Sequence, residues 1–238
     1  MQRFVAEETF WNLFPDAELG IVVVKGINNH PLAEDAQKEV ADLLSQANIS
    51  AKKFLDHDVL SECSVVSVWR DAYQKFKKKK GNRCSIEALL KRAAKGEGVG
   101  SIDPLVDIYN AMSLKYGFPC GAEDLDKVAG NMRLAVTKGG DAFLPLGEEE
   151  NDPTLDGEVA YLDDKGAVCR CWNWRDGFRT MISDDTKNVF MISENVVPAR
   201  HADLEAELNE FAETAVHYLG GTVAEKVILT KANPDTDL

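Results

Sequence analysis

The tightest constraint on this chain is the pair of helix signals that bracket residues 103–119. Asp103 offers a side-chain cap, and Pro104 brings a fixed φ to a position where its missing N–H costs nothing. Leu105, Ile108, Tyr109, Met112 and Tyr116 follow at helical spacing and predict one apolar face, closed by Gly117 with Pro119 beyond. Met132–Lys138 and Asp141–Leu146 then read as two strands joined at Gly139-Gly140. The expected order is a capped helix, a polar turn at 117–126 and a hairpin.

The rest of the chain reads as a mixture of the two periodicities. Residues 8–16 suggest a helical turn closed by Pro15. Leu19–Val24, apolar without alternation, predicts a buried central strand. Pro31 opens a helix with Ala36, Val40, Leu43, Leu44 and Ala47 on one stripe. Ser64–Val68 reads as a second strand, and Ser85 as the cap of a helix over 86–95. Gly96, Gly98 and Gly100 follow a helix, so they read as a linker and not as a phosphate loop. Val159–Leu162 and Ala167–Trp172 flank a turn at Asp163–Gly166, and Phe178–Ser183 with Asn188–Ser193 suggests a third pair. A helix over 202–219, a strand at Val223–Leu229 and a loose tail complete the reading. The expectation is an α+β fold, mixed sheets with hairpins packed against helices, in a single domain over 1–238.

At 238 residues the chain can bury a large core, and no run approaches the length of a membrane span. The N-terminal sequence lacks a signal-peptide layout, and five cysteines without C-x-x-C spacing point to a reduced, cytoplasmic setting. Four histidines (His30, His57, His201, His217) form no ligand pattern, so neither a metal nor a cofactor is expected. A net charge of −13 argues against broad nucleic-acid binding. One local exception is Lys75, Lys77, Lys78, Lys79, Lys80 and Arg83. They form either an RNA-phosphate-contacting arm, continued by Lys91 and Arg92, or a solvated loop that balances an acidic surface.

The stretch PLVDIYNAMSLKYGFPCGAEDLDK resembles the segment of the phenylalanyl-tRNA synthetase β subunit in which a VD-x-x-N helix leads into a G-x-P-x-x-x-x-D turn. Ser85–Arg92 resembles the short helix before it, and Asp184–Val189 an acidic-Thr-x-Asn-Val turn and strand after it. Together, over about 63–197, they resemble the B3/B4 domain, and in particular its stand-alone relatives. Residues 1–62 and 198–238 then flank the shared core. The resemblance implies a tRNA-related protein that hydrolyses mischarged aminoacyl-tRNA, not a complete synthetase. The alternative is a non-catalytic module that binds RNA or an amino-acid-like small ligand.

Asp107 and Asn110 share a helix face, and the resemblance places Asn110 beside the editing pocket; both residues also suit buried backbone ties. The synthetase turn runs Pro-x-His-Ala-Phe-Asp. Here Pro119, Ala122 and Asp124 match, while Gly121 stands for the histidine and Glu123 for the phenylalanine. A glycine cannot orient water, so either Glu123 supplies a carboxylate or the chemistry differs. Asn110 and Glu123 are therefore the catalytic candidates. Ligand contact falls to Asn110, Gly121, Asp124, Trp172, Asn173, Trp174 and Arg175. The last four replace a glycine-rich loop with two rings, an amide and a cation, read as alternating along a strand. Cys169 and Cys171 read as small buried hydrophobes on one face. The amino acid, the tRNA, the oligomeric state and the pathway are not legible.

Overall fold

A computed structural model describes residues 2–96 and 98–238; the linker reading at Gly96–Gly100 therefore spans one residue, 97, outside the described set. In chain order the elements are β1 (Arg3–Ala6), α1 (Glu8–Leu13), β2 (Glu18–Lys25), α2 (Glu34–Ser50), α3 (Ser64–Ala72), α4 (Ser85–Ala94) and α5 (Pro104–Tyr116). Then follow β3 (Cys120–Asp124), β4 (Met132–Lys138), β5 (Asp156–Asp163), β6 (Gly166–Arg170), β7 (Arg175–Asp176), β8 (Asn188–Asn195), α6 (His201–Leu219), β9 (Thr222–Leu229) and β10 (Asp235–Asp237). The fold is α+β, as the mixed periodicity predicts.

Two sheets carry the strands. One has the order β10-β1-β4-β5-β6-β7, with β1 parallel to β4 and its other neighbours antiparallel. The other, β3-β8-β2-β9, is antiparallel throughout. Strand β2 lies inside its sheet with Leu19–Val24 all buried, which explains its unbroken apolar run. Gly20 lets α6 lie close to it: a Cβ there would meet Leu208 at 2.9 Å and Leu204 at 3.0 Å.

Helix α5 is capped as its sequence predicts. Asp103 accepts from Val106 N over 3.0 Å, and Gly117 ends the helix at φ 72°. Packed against α2, α4, α6 and β3, the helix buries nearly its whole surface and not one face alone. Asp107 is held by the Ser101 hydroxyl and by Ile102 N (2.8 Å), a local tie that fixes the loop before the helix.

Several expectations are overturned. Residues 64–68 are helical, because Val65, Val66, Trp69 and Ala72 bury one helical face. The expected cap Ser85 is the first residue of α4; Cys84 holds the cap position without a side-chain bond. The polar turn contains strand β3, paired from Cys120↔Ser193 to Asp124↔Val189. Residues 141–146 form no strand, since Thr137 and Thr154 bond the Asp141 side chain and draw the backbone into local turns. Strand β4 pairs instead with β5, the first strand of the expected β5–β6 hairpin. Residues 178–180 make a 3-10 turn, and β8 takes β2 and β3 as partners. The tail is not loose: β10 pairs with β1, and Leu238 is buried.

Candidate functional site

The site begins with a buried ion pair. Arg170, at the end of β6, meets Glu158 through Nε at 2.9 Å and Nη2 at 2.6 Å, and both side chains are fully buried. Glu158 also accepts from Cys171 N (2.8 Å) and Leu155 N (2.9 Å), so its remaining lone pairs are used. The chain turns sharply there: Cys171 and Trp172 take φ of 48° and 62°, left-handed values rare for such residues. The expected strand alternation therefore stops at Arg170. Trp172 swings into an aromatic core with Phe14 (4.5 Å), Trp69 (4.9 Å) and Phe10 (5.1 Å), fully buried, its Nε1 without a partner. Asn173, Trp174 and Arg175 continue into β7.

Beside this turn, where the edge strands β3 and β7 of the two sheets meet, lies a small cleft. Gly121 and Glu123 line it from β3, Glu194 from β8, Tyr161 and Cys169 from β5 and β6, and Asn173 to Asp176 from the turn and β7. Three carboxyls thus share one small space. Burial pushes Glu194 up to about 8, against hydrogen bonds from Tyr161 and Asn173 that favour the ionised form. Burial, then the neighbouring Asp176, holds Glu123 well above the usual carboxylate range. Burial raises Asp176 as well. Its carboxylate lies 3.9 Å from where a Cβ on Gly121 would stand, so the bare glycine leaves that wall of the cleft open.

Two donors reach Glu194. Tyr161 donates to Oε1 at 2.7 Å and Asn173 Nδ2 to Oε2 at 3.2 Å. Tyr73 lies 2.7 Å from Cys171 O and 2.8 Å from Asn173 Oδ1, but its single proton cannot serve both acceptors. Ser85 Oγ, among the lining residues, is buried without a partner.

The remaining predicted residues divide. Asn110 is buried on α5 and is not among the residues that line the cleft. Asp124 accepts from Thr186 (2.9 Å), Asp126 N (3.1 Å) and Lys127 (3.0 Å), which ties the turn at 184–187 to β3. Trp174 and Arg175 stand at the cleft as a stacked pair 5.6 Å apart, with Arg175 exposed and 3.3 Å from Glu148. Cys169 faces the cleft while Cys171 contacts Asn82 and Glu158, and burial raises both thiols, Cys171 to about 12. All four histidines are exposed and none lines the cleft. No cluster fit to hold a metal occurs among the described residues. In the basic stretch, Lys79 pairs with Asp152 and Arg83 with the buried Glu87, while Lys77 and Lys80 are exposed. A polar second cleft there is lined by Arg70, Lys78 and Arg83. Glu194, Asp176 and Tyr161 escape the sequence reading; the signal was a charged residue directly after an apolar strand run, Ile192-Ser193-Glu194.

The B3/4 domain model matches residues 68–219. The phenylalanine–tRNA ligase beta subunit of Fusobacterium nucleatum is 30% identical over 127 residues, 53% of this chain and 16% of that protein. That of Ruegeria pomeroyi is 34% identical over 96 residues, 40% of this chain and 12% of that protein. The chain thus spans less than a fifth of the curated relatives it matches. Among solved structures, an N-terminal fragment of the phenylalanyl-tRNA synthetase beta-subunit from Pyrococcus horikoshii aligns with a TM-score of 0.48 and 14% identity, over 96% of this chain and 54% of that one. No helix among the described residues is long and apolar enough to cross a membrane.

Proposed function

The chain belongs to the B3/4 domain family, and from that premise we propose that it is a stand-alone module that takes the aminoacyl end of a mischarged tRNA into the inter-sheet cleft and hydrolyses the ester. The observation that carries this reading is the set of three carboxyls that line one cleft, each raised by burial. Burial raises all three, so their roles divide by position. Asp176, at the cleft beside the open wall of Gly121, accepts a proton from the attacking water. Glu194, pushed up to about 8 by burial, gives a proton to the leaving ribose oxygen. Water adds to the carbonyl carbon, the ester C–O bond breaks, and the free amino acid and tRNA leave. An ester beside a ribose hydroxyl is already activated, so positioning and a few dipoles supply the rest.

Binding without turnover is the second reading. It is favoured by the two hydrogen bonds that already occupy both oxygens of Glu194. Deacylation of a panel of mischarged tRNAs, tyrosyl-tRNA(Phe) included, separates the two. Turnover that is lost in Glu194→Gln establishes the hydrolase, and no turnover by folded protein across the panel removes it. The basic stretch Lys75–Arg83 is the proposed contact for tRNA phosphates.

A further inference from the structure

We propose that the cleft selects its ligand by a primary ammonium group, received by Glu123 with Asp176 and Glu194 around it. The proposal rests on the cleft being the ligand site, as in the reading above, but not on ester hydrolysis.

Glu123 lies on β3 and is 5% exposed. Its Oε2 is buried and accepts no hydrogen bond; the Thr180 hydroxyl lies near enough to favour the ionised form but is itself without a partner. A buried oxygen left in this state is costly, and an ammonium with three donors would satisfy it. Ser85 Oγ, unpartnered among the lining residues, adds a second free polar atom. The charge around the cleft points the same way. Among its lining residues the basic side chain is Arg175, which is exposed and paired with Glu148. Arg179, the cation that acts on Glu123 from outside the lining, is bound to Asp163 through both Nη atoms. In the empty cleft burial favours the neutral forms of Glu123 and Glu194; when an ammonium enters, a proton leaves to solvent and an ion pair replaces it.

The other walls set the rest of the ligand. Met132, Phe190, Ile192 and Ala122 are apolar, and Trp174 adds a flat ring. The occupant is thus a small amine that carries a hydrocarbon or aryl group. An aminoacyl ester fits, because its carbonyl end is uncharged. The free amino acid brings a carboxylate that the ionised Glu123 repels, so the same charge favours product release. An N-acylated ester lacks the cation and is refused.

Three probes of one shape and different charge test this on the full chain: 2-phenylethylamine, 2-phenylethanol and phenylacetate, read by thermal shift and calorimetry. The amine is expected to raise Tm and phenylacetate to leave it unchanged. Glu123→Gln, which keeps the size of the side chain, is expected to weaken amine affinity about tenfold or more. Asp176→Asn is expected to weaken it independently, which keeps the test open if one variant folds poorly. Equal shifts from the alcohol and the amine, no shift from the amine, or an amine affinity untouched in both variants would overturn the proposal. Deacylation fails separately: a protein that binds the amine without turnover keeps this inference and loses the hydrolase reading.

Discussion

Tyr161 donates its phenolic hydroxyl to Glu194 Oε1 across 2.7 Å and so joins β5 of one sheet to β8 of the other. Burial pushes the phenol up, so it remains a donor at any working pH. Tyr161→Phe keeps the ring and removes the bond. The expected cost is about 1–2 kcal/mol in denaturant unfolding. Glu194 is expected to titrate still higher, because a donor that favoured its ionised form has gone. Carboxyl infrared or NMR titration reads that shift, and an unchanged titration would show that the bond does not set the protonation of Glu194.

Two buried carboxyls make stability depend on pH in an unusual direction. Glu194 and Glu207 are both pushed up to about 8 by burial, from an ordinary 4.5. Their folded forms hold protons more tightly than their unfolded forms. The stabilising contribution is therefore complete below pH 4.5 and is lost as pH rises through about 8. Ser193 lies 2.5 Å from Glu207 Oε2 and 3.2 Å from Pro119 O, an arrangement that one hydroxyl proton serves if neutral Glu207 is the donor. Tm is expected to be lower at pH 9 than at pH 5, with a shallower fall in Glu194→Gln and Glu207→Gln.

The pair Arg170–Glu158 anchors the left-handed turn that delivers Asn173 and Trp174 to the cleft. Removal of one partner leaves the other charge buried alone. Arg170→Met is expected to cost about 3–5 kcal/mol. Arg175→Ala, which breaks an exposed pair with Glu148, is expected to cost about 1 kcal/mol or less. Equal costs from the two variants in urea would show that the turn does not depend on the buried pair.

What the sequence disclosed and what it withheld follow from the range of the interactions. Helix α5 was legible because Asp103, Pro104 and Gly117 act within a few residues of one another. Strand β2 was legible because burial on both faces writes an unbroken apolar run. The Ser64–Val68 segment misled because β-branched residues suit a strand locally, and only Trp69 and Ala72 reveal the helical face. The cleft was half legible. Glu123 and the stretch Asn173–Arg175 stand out by composition, but Glu194 and Tyr161 meet through a contact between sheets that no spacing encodes. The fate of Trp172 turned on two left-handed residues that are not glycine, held by Glu158 from another strand.

The basic stretch gives a prediction separable from the cleft. Lys77 and Lys80 are exposed, and Lys78 borders the second cleft with Arg70 and Arg83. Replacement of Lys77, Lys78 and Lys80 by alanine is expected to leave Tm nearly unchanged. tRNA affinity should weaken, and its dependence on salt should flatten by roughly one unit of slope for each phosphate that is no longer neutralised. An unchanged slope in filter binding would make the stretch a solvated loop.

Gly121 offers the most direct test of the cleft itself, because its backbone imposes no left-handed φ and the nearest atom a Cβ would meet is Asp176 Oδ1 at 3.9 Å. Gly121→Ala should therefore fold normally, and a strand position accepts a side chain more readily than it accepts glycine. Gly121→Leu carries three further carbons into the space beside Asp176 and should fill the cleft with little loss of stability. Thermal denaturation checks the fold of both variants, and amine binding and deacylation check the cleft. Loss of both functions in the leucine variant, with the alanine variant close to wild type, places ligand and chemistry in this space. Full function in a folded leucine variant would move the site elsewhere, because the inserted side chain occupies the space beside Asp176 that the ligand needs.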